Sequence, residues 1–331
     1  MARCKPTGNT GFVLLVVIVV MLLISFLALQ LIFQVRTELK IAGNRAAHFS
    51  ERMLAEGGVS LALFRLNAKL DLDTEELLGG PFSFGKIYES VFPAGKIEYY
   101  AVSESGKIDL NSGSMVPLML FLEHLGLDED ERAVVADSLL DWRDGDDLYR
   151  VNGAERDYYE ELPRPYVPRN AKIEDPGEFF LIRGTERLRG MFDPYEVFTT
   201  HGAQGKINFN SLTPAMLDFL TAGNQEDKDL YWELRQDIRT LSGAHAQQVL
   251  GSERYAMFNN ILVYNVPNNP YYSIVARGLA GFTSEEGAAD EVIDEGLAGE
   301  GQKKKRGGRV RVLVSSNGGR IRYLSWRVYY S

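Results

Sequence analysis

The densest group of side chains able to do chemistry is acidic. Residues 137–157 read DSLLDWRDGDDLYRVNGAERD and hold Asp137, Asp141, Asp144, Asp146, Asp147, Glu155 and Asp157. Asp137 and Asp141 stand one helical turn apart, and Asp144-Gly145-Asp146-Asp147 reads as a turn. Carboxylates this close repel and raise one another's pKa. A hard cation relieves that repulsion, and Ca²⁺ takes six to eight oxygens at about 2.3–2.6 Å from flexible, carboxylate-rich loops. The candidate ligands are Asp141, Asp144, Asp146, Asp147, Glu155 and Asp157. The spacing is not that of an EF-hand, and a solvated acidic loop is the other reading of the same residues. A hydrolytic carboxylate pair fits less well, because no aromatic sugar platform accompanies the run. There is no G-x-S-x-G, phosphate loop or dinucleotide fingerprint, so the chain reads as a non-enzyme. The single cysteine, Cys4, and four scattered histidines offer no zinc site.

A second reactive point lies near the start. Phe12–Phe33 is FVLLVVIVVMLLISFLALQLIF, with only Ser25 and Gln30 polar. Twenty-two residues at 1.5 Å rise span about 33 Å, enough for a hydrocarbon core of about 30 Å. Arg3 and Lys5 precede it, so the positive-inside bias keeps the first residues cytoplasmic and the bulk outside. A secretory signal has a shorter apolar region and a small-x-small cut site, which Phe33 lacks; an uncleaved signal anchor is the plainer alternative. The order basic leader, Gly11, Phe12, apolar helix resembles a type IV prepilin leader. That resemblance implies cleavage between Gly11 and Phe12 by a prepilin peptidase and N-methylation of Phe12. The fifth position after such a cut is Val16, where most pilins carry glutamate. A lone carboxylate in the bilayer costs about 2.5–3.5 kcal/mol, and only a neighbouring subunit's amine would offset it. Valine there suits a filament tip.

Elements that would carry these sites follow from periodicity. Leu39, Ala42, Ala46, Phe49, Met53 and Leu54 recur at helical steps, resuming at Val59, Ala62, Leu63 and Leu66 beyond Gly57-Gly58, where the helix is weakened. This predicts one helix from Phe12 to about Leu70, membrane-spanning over 12–34 and periplasmic over 35–70. Residues 71–104 read as linker followed by a strand at Lys96–Ser103. Residues 268–331 read as strands: Ser273–Leu279, then a hairpin of Arg309–Ser315 and Arg320–Tyr330 around Asn317-Gly318-Gly319. Arginines alternate with apolar residues in both arms, which predicts one wet face and one packed on the first helix. Between them, residues 283–308 are acidic and then Lys-rich, a disordered loop. The middle, 105–267, is helical and carries a near-repeat. Gly106–Ser112 is GKIDLNS and Gly205–Ser211 is GKINFNS, each followed by a proline and an apolar stripe. Asn111/Ser112, Asn210/Ser211 and above all Thr213 are candidate helix caps, with Pro117 and Pro214 in the first turns. The motif also resembles DNA-holding helix-hairpin-helix modules, but a net charge of −9 argues against nucleic acid.

Taken together, Asp141-Trp142-Arg143-Asp144, Asp146-Asp147, Gly153-Ala154-Glu155, Tyr158-Tyr159, Pro165-Tyr166, Pro168-Arg169-Asn170, Glu178 and Leu181–Gly184 resemble the K-type minor pseudopilins of type II secretion systems. The resemblance runs the length of the chain. It implies an α+β fold: a long N-terminal helix on a small antiparallel pilin-like sheet, with a large inserted α-helical SAM-like domain and Ca²⁺ beside it. It also implies a tip subunit in the inner membrane, partnered by minor pseudopilins I and J, that aids export of folded proteins. A type IV pilus minor pilin with an adhesive head is the alternative.

Overall fold

A computed structural model describes residues 10–67, 78, 80, 82–202, 205–238, 240–264, 269–281, 307–317 and 320–330. Residues 1–9, most of 71–81, the hairpin tip at 318–319, and the charged loop short of Gly307 lie outside the described residues. In chain order the elements are α1 (Thr10–Asn67), β1 (Tyr88–Phe92), β2 (Gly95–Ser103), β3 (Ile108–Asp109), α2 (Val116–His124), α3 (Glu129–Arg143), α4 (Arg156–Glu160), α5 (Pro194–Val197), β4 (Phe198–Thr199), β5 (Ile207–Asn208), α6 (Pro214–Thr221), α7 (Gln225–Asp237), α8 (Gly243–Phe258), β6 (Leu262–Val263), β7 (Tyr271–Ala280), β8 (Gly308–Asn317) and β9 (Arg320–Tyr330).

The 58 residues of α1 make a rod about 87 Å long. Its first half is unpartnered: the apolar side chains described from Phe12 to Phe33 are exposed. Its last turns bury Leu54, Ala55, Val59 and Ala62 against a five-stranded antiparallel sheet, ordered β1-β2-β7-β8-β9. Ile97, Tyr99, Ile274, Ala276, Val310 and Val312 supply the facing side. Contact is close enough to need glycine. A Cβ on Gly58 would lie 2.7 Å from Ile97 Cγ2 and 2.9 Å from Ala276 Cβ; one on Gly278 would lie 2.0 Å from the Glu51 carbonyl. Gly57-Gly58 thus sits inside a continuous helix, with Gly58 pressed against the sheet. Strand β1 falls in the stretch read as linker; Pro93 and Ala94 turn the β1–β2 hairpin.

The helical insert leaves the sheet at Ser103 and returns at Tyr272, which are register partners across β2 and β7. Its core joins Leu118, Phe121, Leu139, Trp142, Tyr159, Phe179, Phe198, Phe209, Phe219, Tyr231 and Phe258. The near-repeat forms two related units. β3 pairs parallel with β4, and β5 pairs parallel with β6. The units interlock through their glycines: a Cβ on Gly106 would strike the Ser211 carbonyl at 1.9 Å, and one on Gly205 the Ser112 hydroxyl at 2.5 Å.

The asparagines expected to cap helices do something else. Asn111 Oδ1 accepts from the Ile173 amide (2.9 Å) and its Nδ2 donates to the Ile173 carbonyl (2.8 Å). Asn210 does the same at Leu241, accepting at 2.7 Å and donating at 3.0 Å, and reaches the Tyr264 carbonyl at 2.8 Å. Each clamps the peptide of a returning loop. Thr213 does cap α6, accepting from the Met216 amide at 3.1 Å.

The arginine face of the hairpin is not simply wet. Arg311 is 5% exposed and pairs with Asp193 at 3.0 Å and Glu196 at 2.5 Å on the insert. Arg327 pairs with Asp175, and its guanidinium lies 4.7 Å from the Tyr195 ring centroid. The alternation does give two faces, but the charged one meets acidic residues of the insert.

Gly58→Val should destabilise the chain by about 1–3 kcal/mol, since neither Ile97 nor Ala276 has room to retreat. Gly43→Ala, in α1 with open space around it, should instead stabilise by up to about 1 kcal/mol. Urea titration of the detergent-solubilised chain measures both. Asn210→Ala strands the Leu241 amide and two carbonyls, and the same titration should show a loss of about 1–3 kcal/mol.

Candidate metal centre

Helix α3 starts on a capping box, Asp128 and Glu131 exchanging side-chain bonds with each other's backbone amides. Its apolar face buries Val135, Leu139 and Trp142. It ends with Asp141 in the last turn and Asp144 as the C-cap. Carboxylates there face the negative end of the helix dipole. The site is thus short of positive charge by construction.

Arg150 supplies part of it. Its guanidinium bonds Asp141 and lies 2.6 Å from Asp144 Oδ2, while its backbone amide donates to Asp141 Oδ2 at 3.2 Å. Asp141 is fully buried. Gly153 is required beside it, because a Cβ would fall 1.7 Å from Asp141 Oδ2. Arg183 holds the Gly153 carbonyl at 2.9 Å and stacks over Tyr158 at 4.9 Å. Trp142 and Tyr159 pack edge to face at 5.1 Å beneath. These contacts join the Asp-Trp, Gly-Ala-Glu, Tyr-Tyr and Ile-Arg-Gly segments in one place.

Of the six candidate ligands, three converge. Asp144, Asp146 and Glu155 each place an oxygen within 4.8 Å of the others. A cation at about 2.4 Å from each would span that separation. Glu155 is fully buried, and neither of its oxygens has a hydrogen-bond partner; Asp144 Oδ1 is likewise buried and unpartnered. An unpaired buried carboxylate is costly unless it is neutralised or coordinated. The donor set is all hard oxygen, which suits Ca²⁺. The other three are engaged elsewhere. Asp141 pairs with Arg150. Asp147 accepts from Asn170 Nδ2 at 3.1 Å, and Asp157 lies near the Tyr149 hydroxyl, whose pKa burial and that carboxylate raise. Asp137 also stands apart, fastening the loop through the Asn152 amide and side chain at 3.1 Å each.

Sequence reasoning gives Arg150 no role, and Asn170 enters it only within the Pro168-Arg169-Asn170 segment of the resemblance. Arg150 could have been noticed as the base in the middle of the acidic run. Asn170 has φ of 45°, its Nδ2 meets the Asp146 carbonyl at 3.3 Å, and its Oδ1 is buried without a partner. Nothing in its local spacing signals that role.

Burial pushes the Glu155 carboxyl up to about 7, with repulsion from Asp141, Asp144, Asp147 and Asp146 added. An unfolded glutamate titrates near pH 4.3. The folded chain therefore binds the extra proton between about pH 4.3 and 7. Cation-free stability should fall as pH rises through that window, and Glu155→Gln should flatten the decline. Cation affinity needs the carboxylate, so it should rise about tenfold from pH 6 to pH 8. Thermal melts and calcium titration across this range read both effects.

Residues 102–189 match the family described as Type II secretion system (T2SS), protein K. A stretch of 104 residues is 32% identical to the Type II secretion system protein K of Pectobacterium carotovorum subsp. carotovorum. That stretch is 31% of this chain and spans 31% of the relative's length. Among solved structures, the chain is similar to one in "The Crystal Structure of the GspK-GspI-GspJ complex from enterotoxigenic Escherichia coli Type 2 Secretion System", at 15% identity and a TM-score of 0.49, covering 90% of this chain and 100% of that one. The protein K match covers the segment that holds Asp144, Asp146 and Glu155.

Proposed function

We propose that this chain is a minor pseudopilin, a non-enzymatic subunit at the tip of the type II secretion pseudopilus that aids its assembly and the export of folded proteins. The observation that carries the reading is the protein K match over residues 102–189. It falls on the insert, and so owes nothing to the apolar anchor, where unrelated membrane helices look alike.

The anchor supports the same reading. α1 is the one described helix long and apolar enough to cross a membrane, with a mean hydropathy of 3.1 over its best window and none of that window buried. Arg3 and Lys5 orient it with the start in the cytoplasm and the sheet and insert in the periplasm. A prepilin peptidase cuts between Gly11 and Phe12, and the new amine of Phe12 is methylated. The freed helix exchanges lipid contact for packing against the helices of minor pseudopilins I and J. Val16 leaves no carboxylate to draw a further subunit above it, and the insert makes the tip wider than a bare helix and sheet.

Ca²⁺ in this reading is structural. Asp144, Asp146 and Glu155 hold it, and it supplies positive charge that fixes the turn after α3. Neutralising the buried Glu155 would couple binding to folding.

Mass spectrometry of the native protein should find an N-terminal methylphenylalanine from position 12. A start at Met1, or at any other residue, overturns the processing step. Co-purification of the full chain with candidate minor pseudopilins should recover a stable complex, and failure with all of them overturns the tip assignment. Calcium at a hundred times its Kd should stabilise the fold by about 2.7 kcal/mol. No change in melting on chelation, with no metal by elemental analysis, removes the ion.

A further inference from the structure

The sheet ends on two unlike edges. β1 is five residues long, whereas β9 runs for eleven and, among the described residues, pairs only with β8. α1 lies over β2, β7 and β8, so the same face of β9 is left open beside it. There Tyr323 is 54% and Trp326 43% exposed, with ring centroids 5.8 Å apart. On the opposite face of the strand, Arg320 and Arg322 are exposed, opposite Asn317 and Ser315 of β8. Among the described residues neither has an ion pair, while Arg309, Arg311 and Arg327 are all matched by acids of the insert. No acidic residue occurs anywhere from 309 to 330, in a chain of net charge −9.

We infer that the free edge of β9 takes up an extended segment of a partner protein in which acidic and apolar residues alternate. The inference rests on the sheet and does not depend on the tip-subunit reading. An exposed edge offers a row of unpaired amides and carbonyls for strand addition. An added strand places successive side chains on opposite faces. One set would meet Tyr323 and Trp326, and the other would meet Arg320 and Arg322. Cross-strand pairs of opposite charge, and aromatic pairs with branched apolar residues, are the favourable ones. A second copy of β9 is a poor occupant, because it would set arginines against arginines.

The test uses the full chain in detergent and a nine-residue peptide of alternating aspartate and valine. Binding is read by Trp326 fluorescence, assigned by loss of the signal in Trp326→Phe, and by hydrogen exchange of the β9 amides. The acidic peptide should bind and slow exchange along β9. The double variant Arg320→Glu/Arg322→Glu should bind it about tenfold more weakly or worse, while melting like the parent. A peptide N-methylated along one edge should fail to bind, which separates strand addition from simple charge attraction. Three results would overturn the inference. One is equal binding of a lysine-valine peptide. Another is no binding of the acidic peptide at millimolar concentration. The last is β9 protected as well as β8 in the free chain, whether by a segment of its own or by a second copy seen in sedimentation.

Discussion

A guanidinium trapped between two layers governs this architecture. Arg311 reaches from the sheet to Asp193 and Glu196 of the insert, and Tyr100 donates to the same Glu196 at 2.6 Å. Such a pair adds little net stability, because desolvation offsets most of the attraction; removing one partner, however, costs about 3–5 kcal/mol. Its value is specificity. Matching both acids to Arg311 sets α5 over β8. Arg327 with Asp175 and the stacked Tyr195 repeat the arrangement one strand over. On the other face, α1 packs closely through Gly58, Gly278 and the apolar row of β8, and its Arg65 bonds the Tyr99 hydroxyl at 3.2 Å and lies 3.9 Å from the Tyr88 ring centroid.

Much of this was legible in the sequence because periodicity reports burial directly. The long helix, the C-terminal hairpin, the strand before the insert and Thr213 as a cap all follow from spacing. Legibility ended where partners are distant. Alternating arginines announce two faces, but cannot say whether the charged face meets water or Asp193, more than a hundred residues earlier. The two lysines of the repeat make the same point. Lys107 is 2% exposed, 2.6 Å from Glu104 and 3.2 Å from Ser273, at the seam with the sheet. Lys206, in the equivalent position, is exposed and bonds the Asn260 carbonyl. The same Gly-Lys-Ile step thus serves opposite environments.

The acidic run was visible as a cluster but not as a set. Seven carboxylates in 21 residues gave no means to choose among them, since the choice depends on how Arg150, Asn152 and Asn170 fold back. Those residues satisfy Asp141, Asp137 and Asp147 and leave Glu155 without a partner. Asp144 also meets Arg150, at 2.6 Å, so the acid that marks the cation site is Glu155, which the protein leaves without a partner. That distinction belongs to three-dimensional accounting of hydrogen bonds, and composition does not contain it.

Ser103 and Tyr272 face each other across β2 and β7, so the whole insert departs and rejoins at adjacent rungs of one ladder. For the sheet, about half the chain is therefore a single oversized hairpin loop. Closing a longer loop costs only about 0.6 kcal/mol per doubling of length. Evolution could enlarge, trim or exchange that module while leaving strand register untouched, provided something acidic still covers Arg311.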